Sequence, residues 1–154
     1  MDTKETVSSM FGKLEHVGVV VKDIEKTVKF LNSLGFGSPK DSESMFEIPF
    51  KGEVRGTPME WRVGIYNIMM GDIELELLQP LEGQDLLREY LDNVGEGIHH
   101  IGFATDDIEK ATERMAAMGI KKIMGAPGPK GGGFGYYETS LFGGIIVELR
   151  QLVD

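Results

Sequence analysis

Residues 14–36, LEHVGVVVKDIEKTVKFLNSLGF, and residues 98–120, IHHIGFATDDIEKATERMAAMGI, are two copies of one pattern. When His16 is aligned with His100, the copies also share a glycine two residues later, an Asp-Ile-Glu-Lys run and a final glycine. A shared pattern of this length predicts two modules of the same fold.

A second pair of segments continues the repeat. IELELLQ at 73–79 aligns with IIVELRQ at 145–151, so that Glu76 falls on Glu148 and each segment ends in glutamine. Each module therefore carries one histidine and one glutamate at equivalent positions. Two histidines and two glutamates related in this way indicate a divalent-metal site.

Each module is predicted to be β-α-β-β-β. The valine-rich run 14–21 is typical of a buried strand, Asp23 of a helix N-cap and Gly35 of a helix C-terminus. The first module is longer, and we expect its extra residues in the loop at 50–60. The further strands are predicted at about 44–50, 59–70, 72–79, 120–124, 134–139 and 144–151. The fold class is α+β, an eight-stranded cupped mixed sheet with helices outside.

The 154 residues fit one domain. Residues 1–12 are polar and aperiodic and are predicted to form a loose N-terminal arm. Residues 13–154 form the domain: a first module at about 13–80, a connecting helix at about 85–94 and a second module at about 97–152.

Composition excludes several classes of function. The formal net charge of −9 argues against nucleic acid as a partner. The absence of cysteine excludes disulfides and thiolate chemistry. No apolar run approaches the roughly 18 residues that span a bilayer, and the N-terminus lacks the apolar core of a signal peptide. We therefore expect no membrane partner and a cytoplasmic location.

Side-chain parity places the repeated residues on one face of the sheet. Alternate residues of a strand point to opposite faces. The valines beside His16 pack on the helices, so His16 points to the concave side, and the same parity applies to His100. His99 then points toward the helices and is predicted to be structural. Glu76 and Glu148 share the concave face.

The predicted ligands of one divalent ion are His16, Glu76, His100 and Glu148. Imidazole nitrogens and carboxylate oxygens suit Zn, Co, Ni or Mn. Glu74 lies on the same face as Glu76, so the choice between these two stays open. For Glu148, a salt bridge to an arginine is the alternative to a ligand role.

With these two modules and this ligand set, the chain resembles the vicinal oxygen chelate superfamily over about residues 13–152. GIHHIGFATDDIEKA, IELELLQPL and GGIIVELRQ are most similar to the methylmalonyl-CoA epimerase family within it. The family's first histidine ligand falls on His16, its second on His100 and its last glutamate on Glu148. The remaining ligand, Gln or Glu in relatives, falls on Glu76. The same set equally resembles that of glyoxalase I.

Two positions depart from the epimerase pattern. Some epimerases carry a glutamate on the strand before the third-ligand strand, where VGIYNIMMG offers Asn67. The His-Pro that usually precedes the last strand is replaced by residues 138–140, Glu-Thr-Ser. The remaining candidates for a second proton-transfer group are Glu60, Glu74 and Glu138.

The resemblance implies an enzyme that stabilises an enolate by chelating a carbonyl substrate to the metal. Glu148 would be a ligand and, when displaced, the catalytic base. The most similar function is an epimerase of an acyl-CoA such as methylmalonyl-CoA. The alternatives are a glyoxalase I-type lactoylglutathione lyase and a non-catalytic binding or resistance protein. The basic residues available to an acyl-CoA are Arg62, Lys121, Lys122, Lys130 and Arg150. We expect a homodimer, and whether the cup closes within one chain or across the dimer stays open.

Overall fold

The computed structural model describes residues 10–37 and 45–154. Within these ranges it contains eight strands and three helices. The strands are β1 (Leu14–Val20), β2 (Phe46–Val54), β3 (Thr57–Met70), β4 (Ile73–Glu82), β5 (Gly97–Ala104), β6 (Lys122–Pro127), β7 (Gly133–Tyr137) and β8 (Ile146–Gln151). The helices are α1 (Ile24–Ser33), α2 (Leu86–Asn93) and α3 (Ile108–Ala117).

The described strands form a mixed, closed sheet in the hydrogen-bonded order β1–β4–β3–β2–β6–β7–β8–β5. β1 pairs with β4, and β5 with β8, in parallel. The pairs β3–β4, β6–β7 and β7–β8 are antiparallel. The predicted α+β fold class, with two β-α-β-β-β modules, is confirmed. α2 occupies the segment predicted as the connecting helix.

The chain divides into two compact units, and each has its own apolar core. One unit comprises residues 16–50 and 59–99, and the other comprises residues 51–58, 100–154 and the described residues up to Glu15. In the first unit, α1 packs on the side chains of β1, β3 and β4. The residues of that core are Val21, Ile24, Val28, Leu31, Tyr66, Ile68 and Leu77. In the second unit, α3 packs on β7 and β8, and the core residues are Met10, Ala111, Met115, Tyr137, Val147 and Leu149.

The two helices of the repeat start in the same way. The Asp23 carboxylate accepts a hydrogen bond from Lys26 N at 3.1 Å, and the cap of α3 repeats this contact. The first helical N–H of each helix has no partner within the helix. The side chain of Gln79 accepts it in α1, and that of Gln151 accepts it in α3, both at 3.0 Å. The repeated glutamine therefore ties each helix to the last strand of its module.

The predicted loop at 50–60 is wrong. The strands β2 and β3 continue through this segment and are joined by a two-residue turn at Arg55 and Gly56. Both residues have positive φ, 49° and 77°, as a type I′ hairpin turn requires. The Arg55 N–H also donates to Ile123 O at 2.8 Å. The extra residues of the first module therefore lengthen a hairpin.

Most of the predicted N-terminal arm, residues 1–9, lies outside the described residues. At its end, Met10 is buried, and the Phe11 ring meets Phe103 edge to face at 5.3 Å. Gly12 N donates to Ala104 O at 2.8 Å. Among the described residues, no helix is long and apolar enough to cross a membrane.

Asp85, the N-cap of α2, is a buried carboxylate with one unpaired oxygen. Its Oδ1 accepts from Arg88 N at 2.9 Å, whereas its Oδ2 has no hydrogen-bond partner. Burial raises the pKa of this carboxyl to about 6, against the lowering effect of the Arg88 N–H. The raised pKa means that the folded state favours the neutral acid, so stability declines as the pH rises from the unfolded pKa near 4 through the folded pKa.

We expect Asp85→Asn to gain stability relative to the parent as the pH rises from 4 to 8. Asparagine caps helices as well as aspartate does and does not ionise. The relative gain should be about 3 kcal/mol, since each pKa unit corresponds to about 1.36 kcal/mol. Urea unfolding of both proteins across this range measures it. Asp107→Asn is the matched control, because the Lys110 N–H lowers the pKa of Asp107 and gives the opposite sign. A pH-independent difference for Asp85→Asn would contradict the expectation.

Candidate metal centre

The first His–Glu pair lies within the first unit. His16 is on β1 and Glu76 is on β4, and both side chains are buried. His16 Nε2 lies 3.8 Å from Glu76 Oε1. The neighbouring residues Val19 and Leu75 pack on the opposite side, in the core beneath α1. Strand alternation therefore aims the imidazole and the carboxylate at the face away from the helix, as predicted.

The second pair lies within the second unit and repeats the arrangement. His100 on β5 and Glu148 on β8 are buried, and His100 Nε2 lies 3.0 Å from Glu148 Oε2. The flanking residues Val147 and Leu149 belong to the core beneath α3. Leaving a buried carboxylate without a partner would be costly, and in each unit a histidine nitrogen lies within 4 Å of the carboxylate.

Strand register distinguishes Glu76 from Glu74. In β1–β4, His16 is opposite Glu74, and Gly18 is opposite Glu76. In β5–β8, His100 is opposite Ile146, and Gly102 is opposite Glu148. Glu76 therefore takes the register position of Glu148, whereas Glu74 takes that of an isoleucine. This agrees with the sequence repeat and favours Glu76 as the ligand.

The contacts of His99 indicate a structural role, as predicted from the sequence. Its ring is buried and meets the ring of Tyr90, on α2, edge to face at 5.1 Å. The Tyr90 hydroxyl donates to Ile98 O at 3.0 Å. His99 thus points toward a helix, on the side of the strand opposite to its neighbour His100.

Two residues that the sequence did not relate to each other stand opposite the two glutamates. Asn67 on β3 pairs in register with Glu76, and Tyr136 on β7 pairs in register with Glu148. Asn67 is exposed, whereas Tyr136 is buried. The Tyr136 ring lies 4.7 Å from the His100 ring at an interplanar angle of 35°. Sequence reasoning missed Tyr136 because its place depends on strand register.

Glu148 affects the ionisation of the neighbouring Tyr137. Burial raises the pKa of Tyr137, a hydrogen bond with Thr112 lowers it, and the negative charge of Glu148 raises it. The hydroxyl oxygens of Tyr137 and Thr112 are 2.7 Å apart.

Glu138, a candidate second carboxylate, is exposed and accepts from Ser140 N at 3.1 Å. Contacts with Ser140 lower the pKa of Glu138, which makes it a weak base.

Ion pairs engage three of the five basic residues considered for an acyl-CoA. The pairs are Arg62 with Glu47 at 3.2 Å and Glu82 at 2.9 Å, Lys122 with Glu53 at 2.8 Å, and Arg150 with Glu15 at 3.5 Å. Within the described ranges, Lys121 and Lys130 are exposed and make no ion pair. These two lysines are therefore the more available to an anionic ligand.

The donor set fits a divalent metal. His16, Glu76, His100 and Glu148 are all buried, so each unit offers one imidazole and one carboxylate. Two imidazoles and two carboxylates are a ligand set typical of Zn and related ions. Cysteine is absent from the chain, so a thiolate site is excluded.

Comparison with known proteins places the chain in a family. Residues 15–137 match the model of the Glyoxalase/Bleomycin resistance protein/Dioxygenase superfamily. The chain belongs to this superfamily, and the resemblance found in the sequence is confirmed.

Among its curated relatives, the ethylmalonyl-CoA/methylmalonyl-CoA epimerase of Cereibacter sphaeroides is 31% identical over 151 residues, which cover 93% of this chain and 100% of that protein. That relative is an isomerase, so the prediction of an enzyme of this type is confirmed at the level of the family.

Solved structures agree on the fold. The methylmalonyl-CoA epimerase of Mycobacterium tuberculosis has a TM-score of 0.63 at 18% identity, covering 96% of this chain and 92% of that one. A variant of the Streptomyces coelicolor methylmalonyl-CoA epimerase, solved in complex with 2-nitronate-propionyl-CoA, has a TM-score of 0.62 at 23% identity, covering 92% and 94%. At these identities the likeness establishes the fold alone.

Proposed function

We propose that this chain is an acyl-CoA epimerase that uses one divalent metal ion, bound by His16, Glu76, His100 and Glu148. The observation that carries the proposal is the buried His–Glu pair found at the same register in both units. The likeness to an ethylmalonyl-CoA/methylmalonyl-CoA epimerase over that protein's whole length supports an acyl-CoA substrate with an acidic α-hydrogen.

The chemistry requires a base and a means of holding negative charge. When bound, the ion would supply a Lewis acid for the carbonyl oxygens of the substrate. Glu148 accepts the proton from the α-carbon, because a carboxylate in a buried site can act as a general base. Burial of Glu148 also keeps water from competing for that proton. Return of a proton to the opposite face of the α-carbon inverts its configuration.

The group that serves the opposite face is proposed to be a carboxylate. Glu74 is half-buried on the same face of β4 as Glu76, whereas Glu60 and Glu138 are exposed. Asn67 stands opposite Glu76, but an amide cannot shuttle a proton. Replacing Glu60, Glu74 and Glu138 singly by glutamine identifies the group, because loss of the second base blocks inversion and leaves exchange of the proton at the first base.

The test incubates the zinc- or cobalt-loaded protein with (2R)- or (2S)-methylmalonyl-CoA in heavy water. Mass spectrometry should detect deuterium at C2, and the optical purity of the substrate should decline. The metal-free protein is the control. If neither deuterium at C2 nor a loss of optical purity is detected, the proposal is overturned. If the protein converts the hemithioacetal of methylglyoxal and glutathione and incorporates no deuterium into the acyl-CoA, a glyoxalase I-type lyase replaces the epimerase as the proposed function.

The predicted homodimer is part of the proposal. Light scattering on the eluted protein measures its mass directly, with 17.0 kDa expected for one chain. A mass of one chain at enzymatically active concentrations would remove the dimer from the proposal without affecting the metal site.

A further inference from the structure

Tyr136 packs against one ligand and stands across the sheet from another. Its ring lies 4.7 Å from the ring of His100, tilted by 35°. In the β7–β8 register it is directly opposite Glu148, and cross-strand neighbours have Cβ atoms about 4.5–5.5 Å apart. The side chain is 3% exposed. One buried ring is therefore placed to restrict both proposed ligands of the second unit.

The Tyr136 ring also contacts a second aromatic ring, that of Phe134. Phe134, two residues earlier on β7, lies on the same face of the strand, and its ring is 5.4 Å from that of Tyr136. The rings of Phe134, Tyr136 and His100 thus form a row along one face. Rotation of the His100 ring about its Cβ–Cγ bond would press it against the Tyr136 ring, since buried side chains are close-packed.

The corresponding position of the first unit carries a different side chain. Asn67 stands opposite Glu76 in the same way as Tyr136 stands opposite Glu148, but it is small, polar and exposed. The two units therefore share their ligand types and differ in what packs beside them. An aromatic ring therefore packs beside the His100–Glu148 pair, whose nearest atoms are 3.0 Å apart, and Asn67 takes the equivalent position beside Glu76.

We propose that Tyr136 is a positioning residue that holds His100 and Glu148 in the orientation for metal binding. The proposal rests on the metal site described under the proposed function. We assign this role to the aromatic ring, which is in contact with the His100 ring. Groups that orient metal ligands typically change metal affinity by about 10- to 100-fold when they are removed.

The test compares zinc affinity in Tyr136→Leu, which removes the ring, and Tyr136→Phe, which keeps it. Competition with a chromophoric chelator measures affinity, and the visible absorption of bound Co²⁺ reports ligand geometry. We expect Tyr136→Leu to lose about 10- to 100-fold in affinity and to alter the cobalt bands. Tyr136→Phe should keep the affinity and the spectrum of the parent.

Tyr90→Leu is the matched control. It removes a ring from His99, which is buried but not a proposed ligand, at a similar ring distance of 5.1 Å, and it should leave zinc affinity unchanged. Circular dichroism of the metal-free variants checks folding, and Tyr136→Met replaces Tyr136→Leu if the latter does not fold.

Parent-like affinity in a folded Tyr136→Leu, or equal loss in Tyr136→Phe, would overturn the inference. Since the parent is measured without substrate, a parent that binds zinc but lacks epimerase activity leaves this inference standing. A parent that binds neither zinc nor cobalt overturns the proposed metal site itself.

Discussion

Replacing His100 by alanine is expected to abolish stoichiometric metal binding. The variant removes one of two imidazole ligands and leaves Glu148 buried without its histidine at 3.0 Å. Zinc affinity should decline by more than about 100-fold, because loss of a direct ligand exceeds the 10- to 100-fold effect of an outer group. His16→Ala should have the same effect, since it removes the equivalent ligand of the other unit. Elemental analysis after dialysis and a chelator titration measure the change.

The adjacent histidine provides the control. His99→Ala removes an imidazole that is also buried but faces Tyr90, so it should lower stability without changing metal content. Zinc at 100 times its dissociation constant should stabilise the parent by about 2.7 kcal/mol. His99→Ala should retain this gain, and His100→Ala should lose it. Retention of metal by His100→Ala, or its loss from His99→Ala, would refute the ligand assignment.

The repeat made the fold and the His–Glu pairs predictable. Two copies that share a strand, an N-cap aspartate and a terminal glycine have the same local preferences. Asp23 and Asp107 do cap their helices in the same way. Strand parity then sufficed to place His16 and His100 on the side away from the helices, because their apolar neighbours needed a core. Local pattern and burial point to the same structure here.

The rest depended on contacts that residue patterns do not encode. The greater length of the first module predicts a loop at 50–60, and the sequence does not indicate that Arg55 adopts the positive φ of 49° that a two-residue hairpin turn needs there. The sequence repeat aligns Glu76 with Glu148, and the register of β1 with β4, which the sequence alone does not give, also favours Glu76 over Glu74. Tyr136 stands opposite Glu148 only through the pairing of β7 with β8, and β3 and β7 share no pattern that would align it with Asn67.

Glu148→Gln is expected to retain metal and to lose proton exchange. Glutamine keeps an oxygen that can bind a metal ion, but its neutral amide cannot accept the α-proton. Deuterium incorporation at C2 should decline by about 10²- to 10⁴-fold, the usual contribution of a general base, for the enantiomer of methylmalonyl-CoA that Glu148 deprotonates. The second base should still exchange the proton of the other enantiomer. The matched control is Glu76→Gln, which makes the same change at the equivalent register position of the other unit. The resemblance to the epimerases implies that glutamine is accepted there, so metal content and exchange should both persist. If the two variants lost exchange equally while keeping metal, the site would have no distinct base at Glu148, and the assignment of proton transfer to this residue would be refuted.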